Sequence, residues 1–410
     1  MKNNKIPSLQ FTRDESEWSW KCLKDISKKV TDKNKYNEYS ETFTNSAELG
    51  IINQRDYFDK DISNKKNLHS YYIVKPDDFV YNPRISTFAP VGPIKRNKLG
   101  RTGVMSPLYY VFRTKDIELA YLESYFSSVK WHSFMKENGD SGARSDRIAI
   151  KDAVFGEMPI PYPSKKIQKE IATFFNNLDE SIALHQQELS ALKQTKQGFL
   201  QKMFPREGST VPEIRFAGFS EEWAVWKLND ITDLITKGTT PKNMSNKGLI
   251  NFVKVENINP SSSQIKSYSK ISLEEHEGNL KRSQLQKNDI LFSIAGTLGR
   301  TAIVNEKDLP ANTNQALAIL RLKNRNVNFV ATYLKGRLVK DYIRKNPTIG
   351  AQPNLSLQQL KDILILLPSN QEQIQIGKFF KNLDGFIELK ERELEALKQT
   401  KKGFLQKMFV

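Results

Sequence analysis

Cysteine is almost missing from this chain of 410 residues, where Cys22 stands alone. One thiol can form neither an internal disulfide nor a cysteine-based zinc site, which fits a reducing cytosol. The four histidines, His69, His132, His185 and His276, are scattered without metal-ligand spacing. Long hydrophobic runs are missing too. The longest aliphatic run, 363–367, is of strand length and far too short to cross a membrane. The opening Met1-Lys2-Asn3-Asn4-Lys5 leads into polar sequence, not the apolar core of a signal peptide. Catalytic signatures are equally scarce. No Gly-x-x-x-x-Gly-Lys-Ser/Thr loop is present for nucleotide phosphates. Asn82-Pro83-Arg84-Ile85 matches only the first half of the Asp/Asn-Pro-Pro-Tyr/Phe tetrapeptide of amino-methyltransferases, and no acidic-Lys nuclease cluster follows Pro76-Asp77. Gly296-Thr297-Leu298-Gly299-Arg300 is glycine-rich, but it sits between two strand-like runs (289–294 and 301–304) and reads as a hairpin turn.

What the chain does have, it has twice. Residues 165–204 recur as 370–409 at an offset of 205, half of the chain, without a gap. Both copies close on Leu-Lys-Gln-Thr-Lys-x-Gly-Phe-Leu-Gln-Lys-Met-Phe, ending at Phe204 and Phe409. Within the first copy Ile171, Phe175, Leu178, Ile182, His185, Leu189, Leu192, Lys196, Phe199 and Met203 follow steps of four and three. Ile376, Phe380, Leu383, Ile387, Lys390, Leu394, Leu397, Lys401, Phe404 and Met408 repeat them. That rhythm puts one narrow apolar stripe on a helix, the seam of a coiled coil. Pro163 and Pro368 stand just before the copies, where helices begin. At 1.5 Å per residue each rod is about 55 Å long. The stripe of each copy needs a partner, either the other copy in cis or a second chain in trans. An antiparallel cis pair relates the two halves by a pseudo-two-fold axis. The polar seam positions, His185 with Lys390 and Lys196 with Lys401, fit either a register device or seam ends near solvent. Gly385 predicts a bend or a looser stretch, and Gly198 and Gly403 are expected to mark where each rod stops.

The repeat extends beyond the helices. Pro7, Phe11, Glu17, Trp18, Leu23, Asp25 and Ile26 reappear as Pro212, Phe216, Glu222, Trp223, Leu228, Asp230 and Ile231. The plan is an opening segment, a globular domain and a long helix, then all three again, joined by the linker 205–209. Each globular part keeps one frame. A strand (78–81; 289–292) precedes a turn-rich basic segment (90–103; 296–300). A strand ending in Arg follows (108–113; 316–321), then a helical stretch (117–135; 328–345). A glycine turn (142–144; 350–352) and a short apolar strand lead to the proline. The resulting fold class is α+β: two mixed α/β domains joined by two long helices in an antiparallel coiled coil, with domains at 1–163 and 205–368 and helices at 164–204 and 369–410.

The formal charge is +17. Residues 165–204 carry six Lys/Arg against four Asp/Glu, and 370–409 eight against six, so the excess lies on the globular parts. Basic, turn-rich loops on a strand frame suit nucleic acid. Arg and Lys donate to guanine edges and phosphates, and Asn and Gln pair with adenine. The candidates in the first half are Arg84, Lys95, Arg96, Lys98, Arg101, Ser106, Arg144 and Arg147. Those in the second are Lys237, Thr239, Thr240, Lys242, Asn257, Arg300, Asn312, Asn314, Gln315 and Gln352.

These features together resemble the specificity subunit of type I restriction–modification systems, over essentially the whole chain. The duplicated helix endings carry the likeness, with Phe-Phe-x-Asn-Leu-Asp at 174–179 and 379–384 and the Trp18 and Trp223 segments. So do 289–293 with Gly296-Thr297, and Gly103-Val104-Met105-Ser106-Pro107-Leu108-Tyr109. The resemblance implies two target recognition domains, each reading half of a split double-stranded DNA site, with the paired helices as a spacer that fixes the gap. It implies a cytoplasmic, prokaryotic subunit with no catalysis and no cofactor of its own. Two modification subunits would methylate adenine with S-adenosylmethionine, and two restriction subunits would translocate and cut DNA with ATP and Mg. An orphan or scaffold nucleic-acid-binding protein, and a fused methyltransferase or nuclease with an unrecognised site, are the competing readings.

Overall fold

The computed structural model describes residues 7–9, 17–57, 65–140, 146–242, 244, 248–260, 262–346 and 353–409. The chain forms two compact units, Met1–Leu184 with Glu395–Val410, and His185–Leu394. The division cuts through both long helices, so each unit takes part of each helix instead of ending where a helix begins.

The first unit is built on a four-stranded antiparallel sheet in the order Ser27–Lys29, Tyr110–Thr114, Phe79–Tyr81, Ile94–Arg96. Side chains alternate across a strand, and here both faces are covered. Phe79, Tyr81 and Phe112 enter a core with Trp18, Tyr121 and Phe155, while Val80 and Val111 enter another with Phe43 and Val74. The inner stretches 79–81, 110–112, 290–292 and 317–320 are therefore apolar throughout, while the outer strands carry polar residues. The second unit repeats this with Thr232–Lys237, Leu317–Leu322, Ile290–Ser293 and Thr301–Ile303. Its Phe292 and Leu320 face a core with Trp223 and Phe329, and its Leu291 and Ile319 face one with Val253 and Val304.

Each sheet is locked by one ion pair. Arg113 grips the fully buried Asp78 through two bonds of 2.7 and 2.9 Å, and Arg321 grips Asp289 through two of 2.8 Å. A two-stranded ribbon beside each sheet, Ser19–Cys22 with Pro159–Tyr162 and Ala224–Lys227 with Leu364–Leu367, leads into the helix.

Both long helices span 38 residues, Lys165–Lys202 and Asn370–Lys407. Each start is fixed by a buried glutamine. The Gln168 amide donates to the Pro163 carbonyl at 2.9 Å and accepts from the Glu118 N–H at 3.0 Å. Gln373 does the same with Pro368 at 2.9 Å and Asn326 at 3.4 Å. The helices pair antiparallel, in cis. In the first unit Phe174 meets Phe404 at 4.9 Å and Lys401 pairs with Asp179. In the second, Phe199 meets Phe379 at 5.0 Å and Lys196 pairs with Asp384. Each pair maps onto its counterpart by the offset of 205. Ile171, Phe175, Ile376, Phe380, Leu383, Ile387 and Leu394 are buried; Leu178, Ile182, Leu189, Leu192, Phe199, Leu397 and Phe404 are half-buried. The polar seam positions all meet carboxylates: Lys390 lies 3.0 Å from Glu188, and His185 lies 3.9 Å from Glu393.

The helices end in the aromatic cores. Phe204 packs against Trp223, Phe329, Tyr333 and Phe380 in the second unit. Phe409 packs against Tyr121, Tyr125 and Phe175 in the first.

Several local expectations change. Gly198 and Gly403 do not stop the rods, which run past them to Lys202 and Lys407, because open space surrounds both and the flanking residues are good helix formers. The helix also continues through Gly385. The helical stretches are each two helices, Leu119–Ser127 and His132–Asn138, then Val327–Leu334 and Arg337–Lys345. The basic segment 90–103 contains the edge strand Ile94–Arg96. The glycine-rich 296–300 is the expected hairpin: the Ser293 N–H donates to the Arg300 carbonyl at 2.8 Å, with Gly296 and Gly299 at φ of 73° and 80°. The turns 142–144 and 350–352, with Arg144 and Gln352, lie outside the described residues.

Candidate nucleic-acid interface

In the second unit the strand Thr232–Lys237 runs into Gly238, whose N–H donates to the Leu317 carbonyl at 3.0 Å. A Cβ here would sit 2.2 Å from the carbonyl oxygens of Thr313 and Asn314, so only glycine lets the two segments touch. The contact lays Thr239 and Thr240 beside Asn314 and Gln315. The Thr239 N–H donates to the Thr313 carbonyl at 2.9 Å, and the Thr240 hydroxyl bonds to the Gln315 side chain. Arg282 donates to the Thr239 hydroxyl at 3.0 Å, and Asn279 donates to the Thr240 carbonyl at 3.4 Å. Lys237, Thr240, Lys242, Asn279, Arg282 and Gln315 are exposed. Among the described residues no ion pair engages the side chains of Lys237, Lys242 or Arg282, while the buried Glu275 carboxylate accepts from the Lys242 backbone N–H at 3.2 Å, so three exposed cations face one carboxylate. Arg282 and Asn279 were not anticipated from sequence, because a single turn following a short helix leaves no periodic signal.

Other candidates of this half lie elsewhere. Asn312 is fully buried and donates to the Leu280 carbonyl at 2.9 Å. Asn257 is buried too, accepting from the Lys254 N–H at 2.7 Å and donating to the Ser267 hydroxyl at 2.9 Å. Both staple loops and have no free edge for a base in this conformation. Arg300 is half-buried and donates to the Val255 carbonyl at 3.2 Å.

The first unit divides in the same way. Arg84 and Arg147 are brought opposite each other by a β-bridge, and each lies 3.8 Å from Asp146. Two cations with one carboxylate remain a positive platform. Lys95 and Arg96 instead are drawn into the protein, and the exposed Lys98 is paired. Arg96 and Lys98 reach Glu123 at 2.8 and 3.3 Å, and burial pushes the Lys95 amine below its ordinary value. Arg101 forms a bidentate pair with Glu41 at 2.8 Å, which holds that carboxyl below the usual range. The Ser106 hydroxyl accepts from the Leu108 N–H at 3.4 Å. Among the described residues no His/Cys/Asp/Glu group could hold a metal, and no helix is long and apolar enough to cross a membrane.

This surface can donate to phosphates and offer amide and hydroxyl edges to bases. A family model for the type I restriction modification DNA specificity domain matches residues 15–194 and again 220–399. The type I restriction enzyme MjaVIII specificity subunit of Methanocaldococcus jannaschii is 23% identical over 318 residues, covering 75% of this chain and 73% of that protein. The EcoBI specificity subunit of Escherichia coli is 27% identical over 179 residues, covering 42% and 37%. Among solved structures, the type I S subunit from M. genitalium matches with a TM-score of 0.58 at 14% identity over 99% of each chain. A chain from a type I restriction–modification complex matches with 0.55 at 15% over 95% and 96%. At such identities these structures speak for the fold. The doubled match over most of the sequence, on a doubled frame, establishes that this chain belongs to the type I restriction–modification DNA specificity family.

Proposed function

We propose that this chain is the DNA-reading subunit of a type I assembly, with each unit reading one half of a split duplex target and the helix pair setting the gap. The observation that carries the reading is the repetition of one sheet-and-helix frame bearing two unlike open surfaces, Thr239–Thr240 beside Asn314–Gln315 in one unit and Arg84 with Arg147 in the other. Exposed cations hold phosphates and fix register; the amide and hydroxyl edges discriminate bases. One binding surface of each kind suits an asymmetric, two-part sequence.

The chain itself supplies grip and register, not chemistry. Adenine methylation falls to two modification subunits carrying S-adenosylmethionine, which must extrude the base from the duplex. Translocation and cleavage fall to two restriction subunits using ATP and Mg. The assembly works in the prokaryotic cytoplasm.

The test is co-expression with the cognate modification subunits in a methylation-free host, followed by genome-wide mapping of methylated adenine. A split consensus with one methylated adenine in each half and a fixed gap is expected. Inserting four residues into each long helix, a rise of about 6 Å, lengthens the gap and leaves both half-sites unchanged. Exchanging 212–367 for the corresponding segment of a relative changes one half-site only. Methylation without a split motif overturns the two-part reading. A well-formed complex that methylates nothing favours an orphan or scaffold role, and methyl transfer by this chain alone favours a fused enzyme.

A further inference from the structure

A cleft of about 370 Å³ opens in the second unit between the long helices, the 296–300 hairpin and the end of the helix Val327–Leu334. Five cations line it: Lys193, Lys196, Arg300, Lys335 and Lys340. Two carboxylates answer them. Glu391 lies 2.7 Å from Lys193, and Asp384 pairs with Lys196 and stands 3.8 Å from Lys335. A third acid of this stretch, Glu388, is held by Arg392 and Gln264. Among the described residues neither Arg300 nor Lys340 has a carboxylate within 4 Å. The positive charge is therefore in excess, and part of it is out of water: the Lys335 side chain is only 14% exposed, donates to the Ser263 hydroxyl, and is pushed down to about 8 by burial.

The first unit also gathers cations, Lys95, Arg96, Lys98 and Lys401, but gives them one more internal carboxylate. There Arg96 and Lys98 share Glu123, on the helix Leu119–Ser127. The two units can be matched at the N-caps Glu118 and Asn326, which donate to the equivalent glutamines Gln168 and Gln373. Five residues beyond each cap stand Glu123 and Ala331. The internal counter-ion of the first unit is thus replaced by a methyl group in the second. Concentrating cations around a half-buried ammonium is destabilising unless an anion joins them.

We propose that this cleft is a binding site for a phosphoryl oxyanion, held by Arg300, Lys335 and Lys340. The recess of Lys335 favours a small free anion, inorganic phosphate or pyrophosphate, over a phosphate fixed in a duplex backbone. Planar Arg300 supplies paired donors and the lysines supply point charges, the usual division of labour around phosphate. The site is separate from the Thr239–Gln315 surface and holds whether or not that surface reads DNA.

Titration calorimetry of the full chain with pyrophosphate, at constant ionic strength and in phosphate-free buffer, tests it. Saturable binding is expected, weakened about tenfold or more by Arg300→Gln and by Lys340→Glu. Lys340 is exposed, so its reversal leaves the fold intact, and Lys402→Glu, an equal charge change in the first unit, should leave binding unaltered. Repeating the titration with saturating duplex DNA separates the sources. Retained pyrophosphate binding identifies a free-anion site. Displacement, together with DNA affinity lowered by the same two variants, assigns the phosphate to the duplex backbone. No saturable binding by the wild-type chain, or equal weakening by Lys402→Glu, overturns the proposal.

Discussion

A carboxylate with no exposed surface depends on its neighbours for every hydrogen bond it accepts. Asp289 is held by the bidentate Arg321 and by the Gln286 N–H at 2.7 Å. Arg321→Ala leaves that charge buried with one donor, and should lower the stability of the second unit by roughly 2–3 kcal/mol in urea denaturation. Lys335 gives the opposite sign of pH dependence from a paired lysine. Its folded value of about 8 lies below the ordinary 10.5, so between those values the unfolded chain binds more protons. Stability should therefore rise with pH across that window, and Lys335→Met should remove the rise. Comparing the two melting profiles isolates this lysine from the tyrosines that titrate higher. At this scale the sequence was least legible. Asn257 and Asn312 look like base readers because loop asparagines on a strand frame look alike; their partners, Lys254 and Ser267 for the one and the distant Leu280 carbonyl for the other, are visible only in the structure. Gln168 and Gln373 went unnoticed for the same reason, since a glutamine bonded to a distant N–H leaves no pattern.

Periodicity made the elements far more legible than the residues. The four-three rhythm located both helices and their seams, because a stripe of that period can bury itself only against a like stripe. The inner strands were visible as apolar runs because both sheet faces are covered, whereas the outer Ser27–Lys29, Ile94–Arg96 and Thr232–Lys237 carry no such run. Gly198 and Gly403 do not stop the helices as the sequence suggests. A glycine's effect depends on what a methyl group would meet, which sequence does not encode. A Cβ at Gly385 meets nothing within 4 Å, so Gly385→Ala should stabilise the chain by about 0.5–1 kcal/mol. A Cβ at Gly377 would lie 2.5 Å from the Asn326 side chain that caps the helix Val327–Leu334, so Gly377→Ala should destabilise it despite the same gain in helix propensity. Thermal unfolding of the two variants should shift in opposite directions. The first copy already has alanine, Ala172, at the position matching Gly377.

At the scale of the whole molecule, the duplicated organisation was readable from the offset of 205, but not the crossed ownership of the helix ends. Phe409 is 1% exposed within the first unit's core. Phe409→Ala should cost about 3–5 kcal/mol there. Amide hydrogen exchange should then quicken at Phe79–Tyr81 and Tyr110–Thr114 and stay unchanged at Ile290–Ser293; Phe204→Ala should reverse the pattern. The same ownership sets an order in time. During synthesis residues 1–184 emerge first, yet their core waits for 395–409, which follow on the order of tens of seconds later. The second unit ends at residue 394. The half made first is finished last, so a ribosome that stops early releases a chain with one closed core and one open one. Such a product would expose the apolar surface that Leu405, Met408 and Phe409 otherwise cover to chaperones and proteases.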